Sequence, residues 1–106
     1  MSRVLRAGAL ALVLSLSGAA YADDWQSLHE AVREGRVVPL SELLDWLDRH
    51  YVGRVIEVEL DREDGRLVYE IEMLGELNQR VEFEFDAESG RLIGIEGVDI
   101  EAMRRR

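Results

Sequence analysis

From Arg54 to Asp86 the chain alternates between apolar and charged residues with a period of two. Ile56, Val58 and Leu60 alternate with Glu57, Glu59 and Asp61. Leu67, Tyr69, Ile71 and Met73 alternate with Val68, Glu70, Glu72 and Leu74. Val81, Phe83 and Phe85 alternate with Glu82, Glu84 and Asp86. A β-strand turns successive side chains to opposite faces, so this pattern predicts three strands with one apolar and one charged face. Such strands build an antiparallel sheet covered on one side only. Asp64-Gly65 is a two-residue hairpin turn that pairs Glu63 with Arg66. Leu60 then falls opposite Tyr69, Val58 opposite Ile71 and Ile56 opposite Met73, which sorts the apolar side chains to one face. Gly75 to Asn78 reads as the second turn. Asp86 to Gly90 reads as the third, with Gly90 available for positive φ. Leu92, Ile93 and Ile95 predict a short fourth strand, interrupted by Gly94 and Gly97. Val98 to Arg106 reads as a helical turn or a frayed tail.

The cover for the apolar face lies upstream. Trp25, Leu28, Ala31 and Val32 recur at helical spacing after Asp24 as N-cap, and Gly35 supplies a stop. Pro39 blocks helix continuation and holds Val38 extended. A second helix is expected from Ser41 as cap, with Leu40 as staple residue and Leu43, Leu44, Leu47 and Tyr51 as its buried stripe, ending at Gly53. The expected architecture is therefore α+β: two N-terminal helices packed on one face of a three- to four-stranded antiparallel sheet.

The first 22 residues have the order of a secretory leader. Arg3 and Arg6 supply the positive start, Ala7 to Ala20 is apolar or small, and Ala20-Tyr21-Ala22 is an A-x-A cleavage site. The apolar run is shorter than the roughly 20 residues of a membrane-spanning helix. The chain divides into a leader (1–22), a helix and connector (23–39), a main domain (40–97) and a tail (98–106), with a periplasmic or secreted location and no stable membrane span after cleavage.

Charge limits the partners. The formal net charge is −9, every basic side chain is Arg, and there is no cysteine. Cleavage removes two Arg and no acid, leaving 11 Arg against 22 acids and a charge of −11 on 84 residues. Nucleic acid needs a basic stripe, and none precedes Arg104 to Arg106. A cationic protein surface or a metal ion fits the sign. So short a chain builds a modest core without a disulfide to staple it, which makes a homodimer a candidate state.

Gly53 to Leu60, Asp64-Gly65, Val68-Tyr69-Glu70-Ile71-Glu72 and Phe85 to Gly90 together resemble the PepSY domain, over roughly residues 40 to 96. That family is marked by a Gly-led strand, a "DG…YE" hairpin and a third strand closing in "DA-x-[TS]-G". Here Ser89 stands where Thr is usual, and its hydroxyl keeps the turn bond available. PepSY domains occur in propeptides of thermolysin-type metallopeptidases and in other secreted or membrane-bound bacterial proteins. The resemblance implies a protein partner in the cell envelope, a peptidase or a sensor, and inhibition or local control of peptidase activity. It brings no catalytic residue and no cofactor.

The candidate site is the polar face of the sheet: Glu57, Glu59, Asp61, Glu70, Glu72, Glu82 and Glu84, with Asp86 at its border. The register sets Glu59 opposite Glu70 and Glu57 opposite Glu72, and like charges across a pair are destabilising. This face is read either as a surface for a basic partner or divalent cation, or as a solvated face that keeps sheet edges apart. A flat sheet builds no calcium cage, so metal binding there is expected to be weak. An enzyme is not expected. His29 and His50 have no metal-binding spacing, Ser27, Ser41 and Ser89 stand in no nucleophile elbow, and no Gly-rich phosphate loop is present. Trp25, Trp46 and Tyr51 read as core or inter-helix packing, with a partner groove between the first helix and the sheet as the alternative.

Overall fold

The computed structural model describes residues 11–14 and 22–106. Two helices, α1 (Ala22–Arg33) and α2 (Leu40–His50), are followed by four strands: β2 (Arg54–Glu63), β3 (Arg66–Leu74), β4 (Arg80–Asp86) and β5 (Leu92–Gly97). A further strand, β1 (Ala11–Leu14), precedes the helices and pairs with β2. The sheet is antiparallel throughout, in the order β1-β2-β3-β4-β5. The expected α+β architecture is present, with β1 as an added edge strand from the segment read as a leader. Arg3, Arg6 and the Ala20-Tyr21 part of the cleavage motif fall outside the described residues. Among the described residues no helix is long and apolar enough to cross a membrane.

The core is the product of the alternation. Val58, Leu60, Tyr69, Ile71, Met73, Val81, Phe83 and Phe85 are buried from the sheet, and Leu28, Ala31, Leu43 and Leu47 meet them from the helices. The ring of Tyr51 lies edge-on to Phe83 at 4.8 Å, and that of Trp46 edge-on to Phe85 at 5.8 Å. Burying one such aromatic side chain contributes about 1.5–3 kcal/mol, so these contacts fix how α2 sits on the sheet. Val37 is buried, and the Val38 amide donates to the Ala87 carbonyl at 2.8 Å, so the connector is tied to the end of β4.

The Asp64-Gly65 turn has positive φ at both residues, 51° and 78°, as a type I′ turn requires. Glu63 faces Arg66, Leu60 faces Tyr69 and Val58 faces Ile71. The expected pairing of Ile56 with Met73 is not found. Val55 is the partner of Met73, because a bulge between Val55 and Glu57 inserts an extra residue and turns Ile56 out to solvent. In the third turn Asp86 Oδ1 accepts the amides of Glu88 and Ser89, and Ser89 Oγ accepts the amide of Arg91 at 3.2 Å. The expected hydroxyl bond is therefore made.

Three boundary expectations are corrected. α1 begins at Ala22, two residues before Asp24. α2 begins at Leu40 with Pro39 in the cap position, so Ser41 is inside the first turn; the fixed φ of Pro39, −63°, starts the helix without a side-chain cap. The same helix ends at His50, and Tyr51 is already extended. Of the two readings of the tail, the helical turn is the one found. Ile100–Met103 forms a 3₁₀ turn, Met103 is buried, and Arg104 bridges to Tyr51. The Val52 amide donates to the Met103 carbonyl, and the Arg105 amide to the His50 carbonyl. Arg104 also lies 5.5 Å over the Tyr51 ring and pairs with Glu101, whose hydrogen bond raises its pKa further.

Candidate functional site: the acidic face of the sheet

The face opposite the helices is built by register. Glu59 faces Glu70, which faces Glu84. Glu57 faces Glu72, which faces Glu82, which faces Glu96. Asp61 faces Val68, which faces Asp86. β2, β3 and β4 each contribute one carboxylate to each of the two Glu rows, β5 adds Glu96 to one of them, and Asp61 stands one step beyond on β2, so the seven predicted residues share one face. Arg80 enters at one corner, 3.5 Å from Glu72.

This face is less open than alternation alone implies. Asp61 and Glu70 are 3% and 1% exposed, and Val68 beside them is 2% exposed although it lies outside the helix-packed core. Glu57, Glu59, Glu72, Glu82 and Glu84 are half-buried. The helices pack on the other face, as expected, and the departure from expectation is only that these acids are less exposed than alternation implies. Glu70 sits on the central strand, hemmed in by Glu59 and Glu84 from its neighbours and by Val68 and Glu72 along its own strand.

Crowding brings oxygens together. One carboxylate oxygen from each of Asp61, Glu63 and Glu70 lies within 4.8 Å of the others, and so does one from each of Glu70, Glu82 and Glu84. Glu63 Oε2, Glu70 Oε1 and Glu82 Oε2 are shut off from solvent. Glu70 belongs to both trios. Hard divalent cations take carboxylate oxygens in such groups, so Asp61, Glu63, Glu70, Glu82 and Glu84 are the residues able to hold one. Glu63 and Glu96 were missed in the sequence. Continuing the β2 alternation one step past Asp61 finds Glu63. Finding Glu96 needs the β4–β5 pairing, which an irregularity between Glu84 and Phe85 hides.

A family model described as "Peptidase propeptide and YPEB domain", or PepSY, matches residues 37–96, more than half of the chain. The chain belongs to the PepSY family. Comparison with curated proteins and with solved structures gave no match. The PepSY segment runs from the Val37 connector through α2 and the β2–β5 sheet, so both acidic rows lie within it.

The other predicted residues sit apart from this face. His29 is exposed on α1. His50 stacks on Trp46 with ring centroids 4.2 Å apart and donates from Nδ1 to the Trp46 carbonyl. Ser41 lines a groove and Ser89 holds a turn, while the side chains of Trp25 and Ser27 fall outside the described ones. The groove, of about 660 Å³, lies between α1 and the start of α2, with Leu28, Val32, Leu40 and Tyr69 as its apolar wall. It lies on the helix side of the sheet, and its α1 wall falls outside the PepSY segment. Tyr69 closes its floor, donating a long 3.4 Å bond to the Val38 carbonyl, and burial pushes its pKa up to about 12.

Proposed function

We propose that this PepSY protein is a non-catalytic binding module of the bacterial cell envelope that restrains a peptidase or another envelope protein. The observation that carries the reading is the PepSY domain across residues 37–96, with two registered rows of carboxylates on one face. A propeptide-like module acts by occupying its partner's surface, and a field of one sign steers a cationic partner and fixes its register. The leader reading supplies the route to the periplasm. The test is peptidase activity in an envelope extract titrated with the full chain and with a Glu59→Lys/Glu72→Lys variant. Inhibition by the native chain that the variant loses supports the proposal. No inhibition, or equal inhibition by both, contradicts it.

A second reading rests on the two carboxylate trios within 4.8 Å. A divalent cation held there makes the protein responsive to envelope calcium or magnesium. Calcium at 100 times its dissociation constant adds about 2.7 kcal/mol of stability. A melting temperature unmoved by millimolar calcium, against sodium chloride of equal ionic strength, rules this reading out.

A further inference from the structure

The two edges of the sheet differ. The β5 edge is short, is interrupted by Gly94 and Gly97, and carries an irregularity in its pairing with β4. Short and irregular edges of this kind resist strand addition. The β2 strand runs for ten residues, and among the described residues β1 pairs with four of them, Val58 to Asp61. Beyond that cover, Val55 and Ile56 stand 38% and 37% exposed at the bulge, two β-branched side chains in water on a sheet edge. The outer edge of β2 therefore accepts an antiparallel strand, and the strand seated there comes from the segment read as a removable leader.

We infer that the outer edge of β2 is a strand-docking site, held in the full chain by Ala11–Leu14 and occupied after leader removal by an extended partner segment that alternates apolar and basic side chains. The inference deepens the proposed binding role and rests on it. The chemistry of the occupant follows from the two parities of β2. On one side an incoming strand extends the layer of Val58 and Leu60 over the core, which calls for apolar side chains. On the other it lies beside Glu57, Glu59 and Asp61, at the border of both acidic rows, which calls for Lys or Arg. A second copy of this chain is a poor occupant. In an antiparallel β2–β2 pair, residues of equal parity meet, so Glu57, Glu59, Asp61 and Glu63 face one another.

The probe is an eight-residue synthetic peptide alternating Val and Lys, with a Val–Glu peptide as control. It is titrated against the full chain and against a full-length Leu12→Pro/Val13→Pro variant. Of two adjacent strand residues one points its amide at the partner strand, so the double substitution removes a β1–β2 hydrogen bond whichever residue that is. The variant is expected to bind the Val–Lys peptide at least tenfold more tightly than the unmodified chain, and the Val–Glu peptide at least tenfold more weakly than the Val–Lys one. Hydrogen exchange on the unmodified chain gives a reading that needs no variant. Excess Val–Lys peptide deprotects the amides of 11–14 while those of 58–61 stay protected. Equal affinity of the two chains, equal affinity for the two peptides, or no exchange between β1 and the peptide overturns the inference. So does dimerisation of the variant that excludes the peptide. A chain that binds the peptide at this edge yet leaves envelope peptidases untouched keeps the docking site and loses the inhibitory role.

Discussion

The two faces of this sheet are made by the same alternation and have opposite energetics. On the helix side Tyr69, Ile71, Val81 and Phe83 are wholly buried and supply stability. On the other side Glu57, Glu59, Glu70, Glu72, Glu82 and Glu84 stand in register, an arrangement of like charges that opposes pairing. Folding for its own sake favours mixed charges on the second face. The contrast separates what holds the domain together from what it presents to a partner.

Phe83→Ala makes the largest expected break. The side chain is wholly buried against Tyr51, and its loss costs about 3–5 kcal/mol, read as a fall in the denaturant midpoint. A loss of under 1 kcal/mol contradicts the assignment of stability to the helix side. Gly53→Ala comes next, at about 1–3 kcal/mol. Gly53 has φ +152°, and an added Cβ meets the Leu74 carbonyl oxygen at 2.8 Å, where the chain turns from α2 into β2. Thermal melting of that variant measures how firmly the bulged start of β2 is set.

Salt sharpens the comparison from the other side. Raising sodium chloride from 10 mM to 500 mM shortens the screening length from about 30 Å to a few ångströms and relieves the acidic rows. A rise in stability of up to about 1 kcal/mol is expected, and a fall contradicts net repulsion on that face. The smallest effect belongs to Tyr69→Phe. Its hydroxyl makes one long bond, so neutral-pH stability changes by under about 1 kcal/mol. In the native chain the Tyr69 proton is held to about pH 12, against 10 when unfolded. The unfolded state then binds fewer protons between these values, so stability falls as pH rises from about 10 to about 12. Alkaline denaturation of Tyr69→Phe lacks that part of the fall.

The fold was largely legible because Val58 to Asp86 obeys one period and the Asp64-Gly65 turn sets one register. What escaped reading depends on contacts remote in sequence. The bulge at Val55–Glu57 shifts Ile56 outward without any glycine or proline to announce it. Met103 docks against the start of β2 from the far end of the chain, and nothing local in Val98 to Arg106 specifies its target. The candidate face was legible as a list of acids, since parity alone gathers them. Its burial at Asp61 and Glu70 was not, because a period of two assigns a face and says nothing of how crowded that face becomes. The pairing of Ala11–Leu14 with β2 was hidden for a similar reason: a short apolar run reads equally as leader and as strand.

The division between the two faces is tested most directly by a denaturation curve and a Val–Lys peptide titration on the same Glu59→Lys/Glu72→Lys sample. The expected result is stability within about 1 kcal/mol of the native chain together with at least tenfold weaker peptide binding. Unfolding of the variant, or undiminished binding by a folded one, contradicts it.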